Sequence, residues 1–115
     1  MSVPSAGQGD VWDCQLNPAE GHEQAGRRPC LVVSVDQLGQ GPSELAIVVP
    51  ITRTHRTALD VRIDPAEGGL TDVCYAQPYQ VRTLSRQRLV NRRGAVGDTT
   101  LADVISRVHL LTRAP

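Results

Sequence analysis

Gly21-His22-Glu23-Gln24-Ala25-Gly26-Arg27-Arg28-Pro29-Cys30-Leu31-Val32-Val33-Ser34 passes from a charged loop straight into an apolar strand. A polar, glycine-flanked loop carries Glu23, Arg27 and Arg28, and an apolar run follows it at once. Pro29 has a fixed φ and pushes the residue before it toward extended geometry. Arg28 is therefore expected at the root of a strand, its side chain directed by a rigid element. The run from Cys30 to Val35, broken only by Ser34, predicts a strand buried on both faces. Residues 17–27 make a long connection between strands and so a candidate binding loop.

Upstream, Gly9-Asp10 opens the first ordered element. Val11 to Leu16 alternates Trp12, Cys14 and Leu16 against Asp13 and Gln15, which predicts a strand closed by Asn17-Pro18. Residues 1–8 are small and polar, lack a hydrophobic signal core, and are expected to be flexible; no export is implied. Downstream, residues 36–43 read as a turn or one short helical turn. Leu45 to Ile51 is the next strand, with Pro50 marking an edge or bulge. A polar loop from Thr52 to Thr57 leads to Leu59, Val61 and Ile63, which alternate as a half-buried strand. Residues 71–76 and 80–84 read as short strands, 85–89 as a helical turn, and 92–96 as a short strand. Asp98 or Thr99 caps the one clear helix, with Leu101, Val104, Ile105, Val108 and Leu111 at helical spacing. A mainly β fold results: a small barrel-like sheet of short strands with a C-terminal helix over one opening, one domain over residues 9–115.

Every basic residue is arginine, and 12 basic residues balance 12 acidic ones. The balance hides an uneven layout. Residues 73–97 hold Arg82, Arg86, Arg88, Arg92 and Arg93 and no acid, a candidate anion-binding surface of planar forks suited to phosphate. Cys14, Cys30 and Cys74 sit beside apolar runs and read as buried free thiols of a reducing compartment. His22, His55 and His109 stand alone, without metal spacing. No stretch reaches the length of a membrane span.

Gly9-Asp10-Val11-Trp12, Asn17-Pro18, Gly21-x-Glu23-Gln24-x-Gly26-x-Arg28-Pro29, an apolar strand and then Val49-Pro50-Ile51-Thr52 resemble the MazF/PemK toxins of bacterial toxin–antitoxin pairs. Arg88-Leu89 before the capped helix fits as well. The resemblance runs from about Gly9 to about Leu111. It implies an SH3-like β-barrel, also used by the gyrase poison CcdB, and a cytoplasmic homodimer. It implies an endoribonuclease that cuts single-stranded RNA at short motifs without metal or cofactor, leaving a 2′,3′-cyclic phosphate and a 5′-hydroxyl. It also implies a cognate MazE-like antitoxin that lays an acidic tail over the active grooves. By the same resemblance Arg28 and Thr52 are catalytic, with Glu23 as the acidic residue of the loop. A non-catalytic gyrase poison on the same barrel is the alternative, against which the Glu-Gln-x-Gly-x-Arg-Pro cluster speaks.

The chemistry is consistent with those residues. RNA cleaved through its own 2′-hydroxyl needs a proton acceptor, a phosphate clamp and a donor to the leaving oxygen. Arg28 suits the clamp. The Thr52 hydroxyl suits a non-bridging oxygen, unless it only steadies a turn. Glu23 either takes the proton or pairs with Arg28 to order the loop. His22, Gln24, Arg27, Arg53, His55, Arg56, Arg82 and Arg86 are the expected RNA contacts, the arginine planes supplying stacking in a chain with few aromatics.

Overall fold

The computed structural model describes residues 3–115. In it β1 (Asp10–Gln15) runs antiparallel to β2 (Arg27–Val32), and β2 to β3 (Leu45–Thr52). With β4 (Val61–Ile63), β5 (Cys74–Ala76), β6 (Arg82–Ser85) and β7 (Leu89–Ala95) they form a seven-stranded sheet. Its order is β4-β5-β3-β2-β1-β7, with β6 added alongside β3. α1 (Asp36–Gly39) is a single turn, and α2 (Asp98–Thr112) is the terminal helix.

β2 begins earlier than its apolar run. Arg27, Arg28 and Pro29 pair with Gln15, Cys14 and Asp13 of β1. Pro29 is tolerated because pairing with β3 starts only at Cys30, so the missing N–H interrupts no ladder on that side. Pro50 has a similar place in β3. Leu45–Val48 pairs with β6 and Ile51–Thr52 with β5, so Pro50 lies where the strand changes partners. Its carbonyl accepts the Gln77 N–H at 3.0 Å.

The sheet is rolled but not closed, which corrects the barrel expectation: its end strands β4 and β7 do not pair. A glycine contact stands in for the missing ladder. Gly68 and Gly69, at φ 67° and 72°, follow β4 and press against Val11 and β7. A Cβ on Gly69 would lie 2.2 Å from the Arg93 carbonyl oxygen, so no larger residue fits there.

Two apolar clusters fill the roll. One joins Val11, Leu31, Val49, Ile51 and Ile63 to Val104 of α2, with Leu101 and Val108 packed against it. The other joins Cys14, Leu16, Cys30, Val32, Val48 and Leu84, with Trp12 at its margin. The helical stripe thus holds for Leu101, Val104 and Val108, whereas Leu111 is 43% exposed. Gly97 occupies the N-cap in place of the expected Asp98 or Thr99; Asp98 sits in the first turn, where its carboxylate favours the helix dipole.

The expectation of flexibility over residues 1–8 does not describe its later part. Ala6 is buried, with its N–H on the Gly39 carbonyl at 2.9 Å, and Gln8 donates its N–H to Asp36 at 2.9 Å. Residues 1 and 2 lie outside the described residues. Among the described residues no helix is long and apolar enough to cross a membrane.

Candidate active site

Neighbouring strands bring Arg28 and Thr52 together. The β2–β3 register sets Cys30 against Pro50; continued two residues, it sets Arg28 across from Thr52. Both line one cleft of about 350 Å³, together with Arg27, Arg53, Asp72 and Arg93. Gly26, at φ 74°, turns the chain so that the Ala25 carbonyl accepts the Arg28 Nε–H at 2.9 Å. That bond fixes the guanidinium plane and leaves its terminal N–H groups without a protein partner among the described residues. Thr52 is 7% exposed, and its Oγ1 accepts the Thr54 N–H at 3.3 Å. The hydroxyl proton is then left to donate. A fixed cationic fork and a free hydroxyl donor across a strand gap are suited to the oxygens of one phosphodiester.

Glu23 is not part of this cleft. Its carboxylate accepts the Glu20 N–H at 2.8 Å, and its side chain lines a separate cleft of about 190 Å³ with Pro50, Tyr79 and Arg82. Among the described residues it forms no ion pair with Arg28. The pairing with Arg28 expected to order the loop is replaced by a short turn within the loop, closed by one carboxylate oxygen. His22 is exposed, and its carbonyl accepts from Gln80 Nε2 at 2.9 Å. Gln24 is held by its amide, which donates to Gln77 Oε1 at 2.6 Å, and by its N–H on Gln80 Oε1 at 3.3 Å. Its amide nitrogen therefore helps order the loop. Arg88 steadies the loop's base by donating to the carbonyls of Gln15 and Asn17.

A polar chain then crosses to the other loop. Gln77, fully buried, donates to the Tyr79 hydroxyl at 3.0 Å, which donates to Asp60 Oδ1 at 2.8 Å. Asp60 Oδ2 accepts the N–H groups of Arg56 and Thr57 at 2.6 and 3.1 Å, closing the loop that carries Arg53, His55 and Arg56. Burial pushes the Asp60 carboxyl up, but those N–H groups and the Tyr79 and Thr57 hydroxyls outweigh it and hold the carboxyl below its ordinary range. Burial and the bond to Asp60 raise the Tyr79 phenol in turn. The sequence gives no local signal for this chain, since its members lie on different elements. Arg53 reaches Asp72 at 3.4 Å with both side chains mostly exposed, a weak pair that a substrate phosphate can replace.

The arginines of residues 73–97 do not share one set of partners. Arg86, expected to touch RNA, is 4% exposed; its guanidinium donates to the carbonyls of Gly39, Gly41 and Pro4. It ties the N-terminal strap to the turn after α1. Arg92 pairs with Asp10 at 3.1 Å and Arg93 with Asp13 at 2.8 Å, because β7 lies against β1. Arg82 donates to the Leu16 carbonyl at 3.2 Å and lines the smaller cleft. Only Arg93 of this group reaches the larger one. Cys74, also in that wall, is buried, which raises its thiol. Among the described residues no three His, Cys, Asp or Glu side chains converge to hold a metal ion.

Comparisons with known proteins bear on the family and the fold. A family model described as PemK-like, MazF-like toxin of type II toxin–antitoxin system matches residues 7–112. Endoribonuclease MazF9 of Mycobacterium tuberculosis is 32% identical over 111 residues, spanning 90% of this chain and 94% of that protein. Endoribonuclease PemK of Escherichia coli is 40% identical over 109 residues, spanning 90% and 80%. Among solved structures, MazF from Deinococcus radiodurans is 28% identical with a TM-score of 0.78, covering 96% of this chain and 97% of that one. A MazE–MazF structure from the same organism is 27% identical with a TM-score of 0.74, covering 99% and 100%.

Proposed function

The chain belongs to the PemK-like, MazF-like toxin family of type II toxin–antitoxin systems, and from that premise we propose that it is a metal-independent endoribonuclease cutting single-stranded RNA at short sequence motifs. The observation that carries this reading is the pair of free donors, Arg28 and Thr52, in one cleft.

In the proposed reaction the substrate's 2′ oxygen attacks the adjacent phosphorus and the bond to the 5′ oxygen breaks. The 2′ proton leaves as a proton arrives on the departing oxygen. The products are a 2′,3′-cyclic phosphate and a 5′-hydroxyl, and no water is consumed. The nucleophile belongs to the substrate, so no metal-activated water is required. Arg28 straddles the phosphate with its terminal N–H groups, and Thr52 donates to a non-bridging oxygen; both bonds strengthen as negative charge accumulates. DNA lacks the 2′-hydroxyl and is expected to bind without being cut.

A MazE-like antitoxin is the expected partner, supported by the MazE–MazF structure of the 27%-identical relative. Acidic groups on its tail would meet Arg27, Arg28, Arg53 and Arg56. A homodimer is expected because one cleft of this size is too small for a run of nucleotides, and the cytoplasm is the expected location. Incubation with a random RNA pool in excess chelator, followed by sequencing of the new 5′ ends, tests the reading. Recurring motifs cut by the wild type and spared by Arg28→Ala support it. An intact pool sinks it.

A further inference from the structure

Registers across the sheet align more than Arg28 and Thr52. Thr52 pairs with Tyr75 of β5, and Tyr75 with Arg62 of β4. Facing residues of paired strands project to the same side. Arg28, Thr52, Tyr75 and Arg62 therefore make one lateral row across β2, β3, β5 and β4, stepping about 5 Å per strand.

On Tyr75 lies His55, from the loop after β3. The rings are 4.8 Å apart between centroids and inclined by 10°. His55 Nε2 lies 2.8 Å from the Thr57 carbonyl, to which it donates, so the ring cannot swivel freely. Tyr75 is half-buried under the stack, and His55 is exposed. One face of the imidazole is thus covered by the phenol, and the other is open to solvent. Asp60 closes the loop that carries this ring through the N–H groups of Arg56 and Thr57. An aromatic plane held flat thus lies beside the row that carries Arg28 and Thr52. The plane is no part of either apolar cluster.

We propose that the open face of His55, backed by Tyr75, is a stacking subsite for the base of the nucleotide adjoining the scissile phosphate. The inference rests on the nuclease reading above and specifies where that site takes hold of a base. Stacking on a plane tolerates any base but favours the larger ones. The subsite therefore supplies affinity and a purine preference at one flanking position. Chemistry at phosphorus stays with Arg28 and Thr52.

The test uses the full chain and one motif recovered from the RNA pool. His55→Ala is expected to raise KM about tenfold, leave kcat near wild type, and flatten the base preference at a single flanking position. His55→Phe should restore both, because it keeps a plane and removes only the nitrogens. Placing an abasic nucleotide at that position should erase the difference between wild type and His55→Ala. His55 is exposed, so none of these variants threatens the fold. If the wild type cuts the pool while His55→Ala keeps wild-type KM and base preference, the stacking subsite is wrong and the nuclease reading stands. If the wild type cuts nothing, both fall together.

Discussion

Arg28 and Arg86 carry the same group and have opposite fates. Arg28, at the start of β2, spends one N–H on the Ala25 carbonyl and keeps the rest of its guanidinium open to a cleft. Arg86, before β7, is buried among carbonyls from the N-terminal strap and the turn after α1. Nearby residues repeat the contrast. Arg27 and Arg56 have no ion-pair partner among the described residues, whereas Arg92 and Arg93 meet the β1 carboxylates. An arginine's availability is set by which acceptors the fold lays beside it. The density of charge along the chain does not measure it.

Removing each guanidinium in turn separates the two roles. Arg28→Ala should lower RNA cleavage by about 10²- to 10³-fold while leaving the melting temperature near wild type. Its one intramolecular bond closes an exposed turn. Thr52→Val, which keeps the shape and removes the donor, should cost somewhat less, about 10²-fold, in the same single-turnover assay. Arg86→Met should do the reverse. It strands buried carbonyls at a cost of about 1–3 kcal/mol, visible as a lowered urea midpoint, with cleavage per folded molecule close to wild type. If Arg86→Met abolished cleavage without touching stability, the assignment of the two arginines would be inverted.

A finer test concerns the polar chain that joins the two loops. Tyr79→Phe removes the hydroxyl between Gln77 and Asp60 and should destabilise by about 1 kcal/mol. It should also loosen cleavage specificity, since both loops lose a shared anchor. Asp60 gives the same chain a pH signature. Its folded carboxyl titrates below the unfolded value of about 3.9. Its stabilising contribution is therefore complete above that value and is lost as pH falls through the lower, folded one. Melting temperatures from pH 7 down to pH 3 should show an acid-side decline that Asp60→Asn reduces. The smallest effect is expected at Arg92→Ala, an exposed pair worth less than about 1 kcal/mol, with cleavage unchanged.

Much of the scaffold was legible in the chain itself. Alternation over β1, the apolar runs of β2 and β3 and the spacing of Leu101, Val104 and Val108 reported their elements. The boundaries of β2 were not legible, because Arg27 and Arg28 look like loop residues until β1 pairs with them. Nor was it legible that Glu23, near Arg28 in sequence, bonds the Glu20 N–H of its own loop. Asp72 and Arg93 carried no local mark of belonging to the cleft, and nothing in Gln77, Tyr79 or Asp60 announced that they form one chain of hydrogen bonds.

Sequence alone determined the strands, the terminal helix and the family motif around Arg28, since periodicity and proline geometry act over a few residues. Which charges remain free depends on the folded sheet. The acceptors of Arg86, Arg92 and Arg93 lie far along the chain, Arg92 and its partner Asp10 being 82 positions apart. Coulomb and hydrogen-bond energies depend on distance in space, and that distance does not exist until the sheet has rolled.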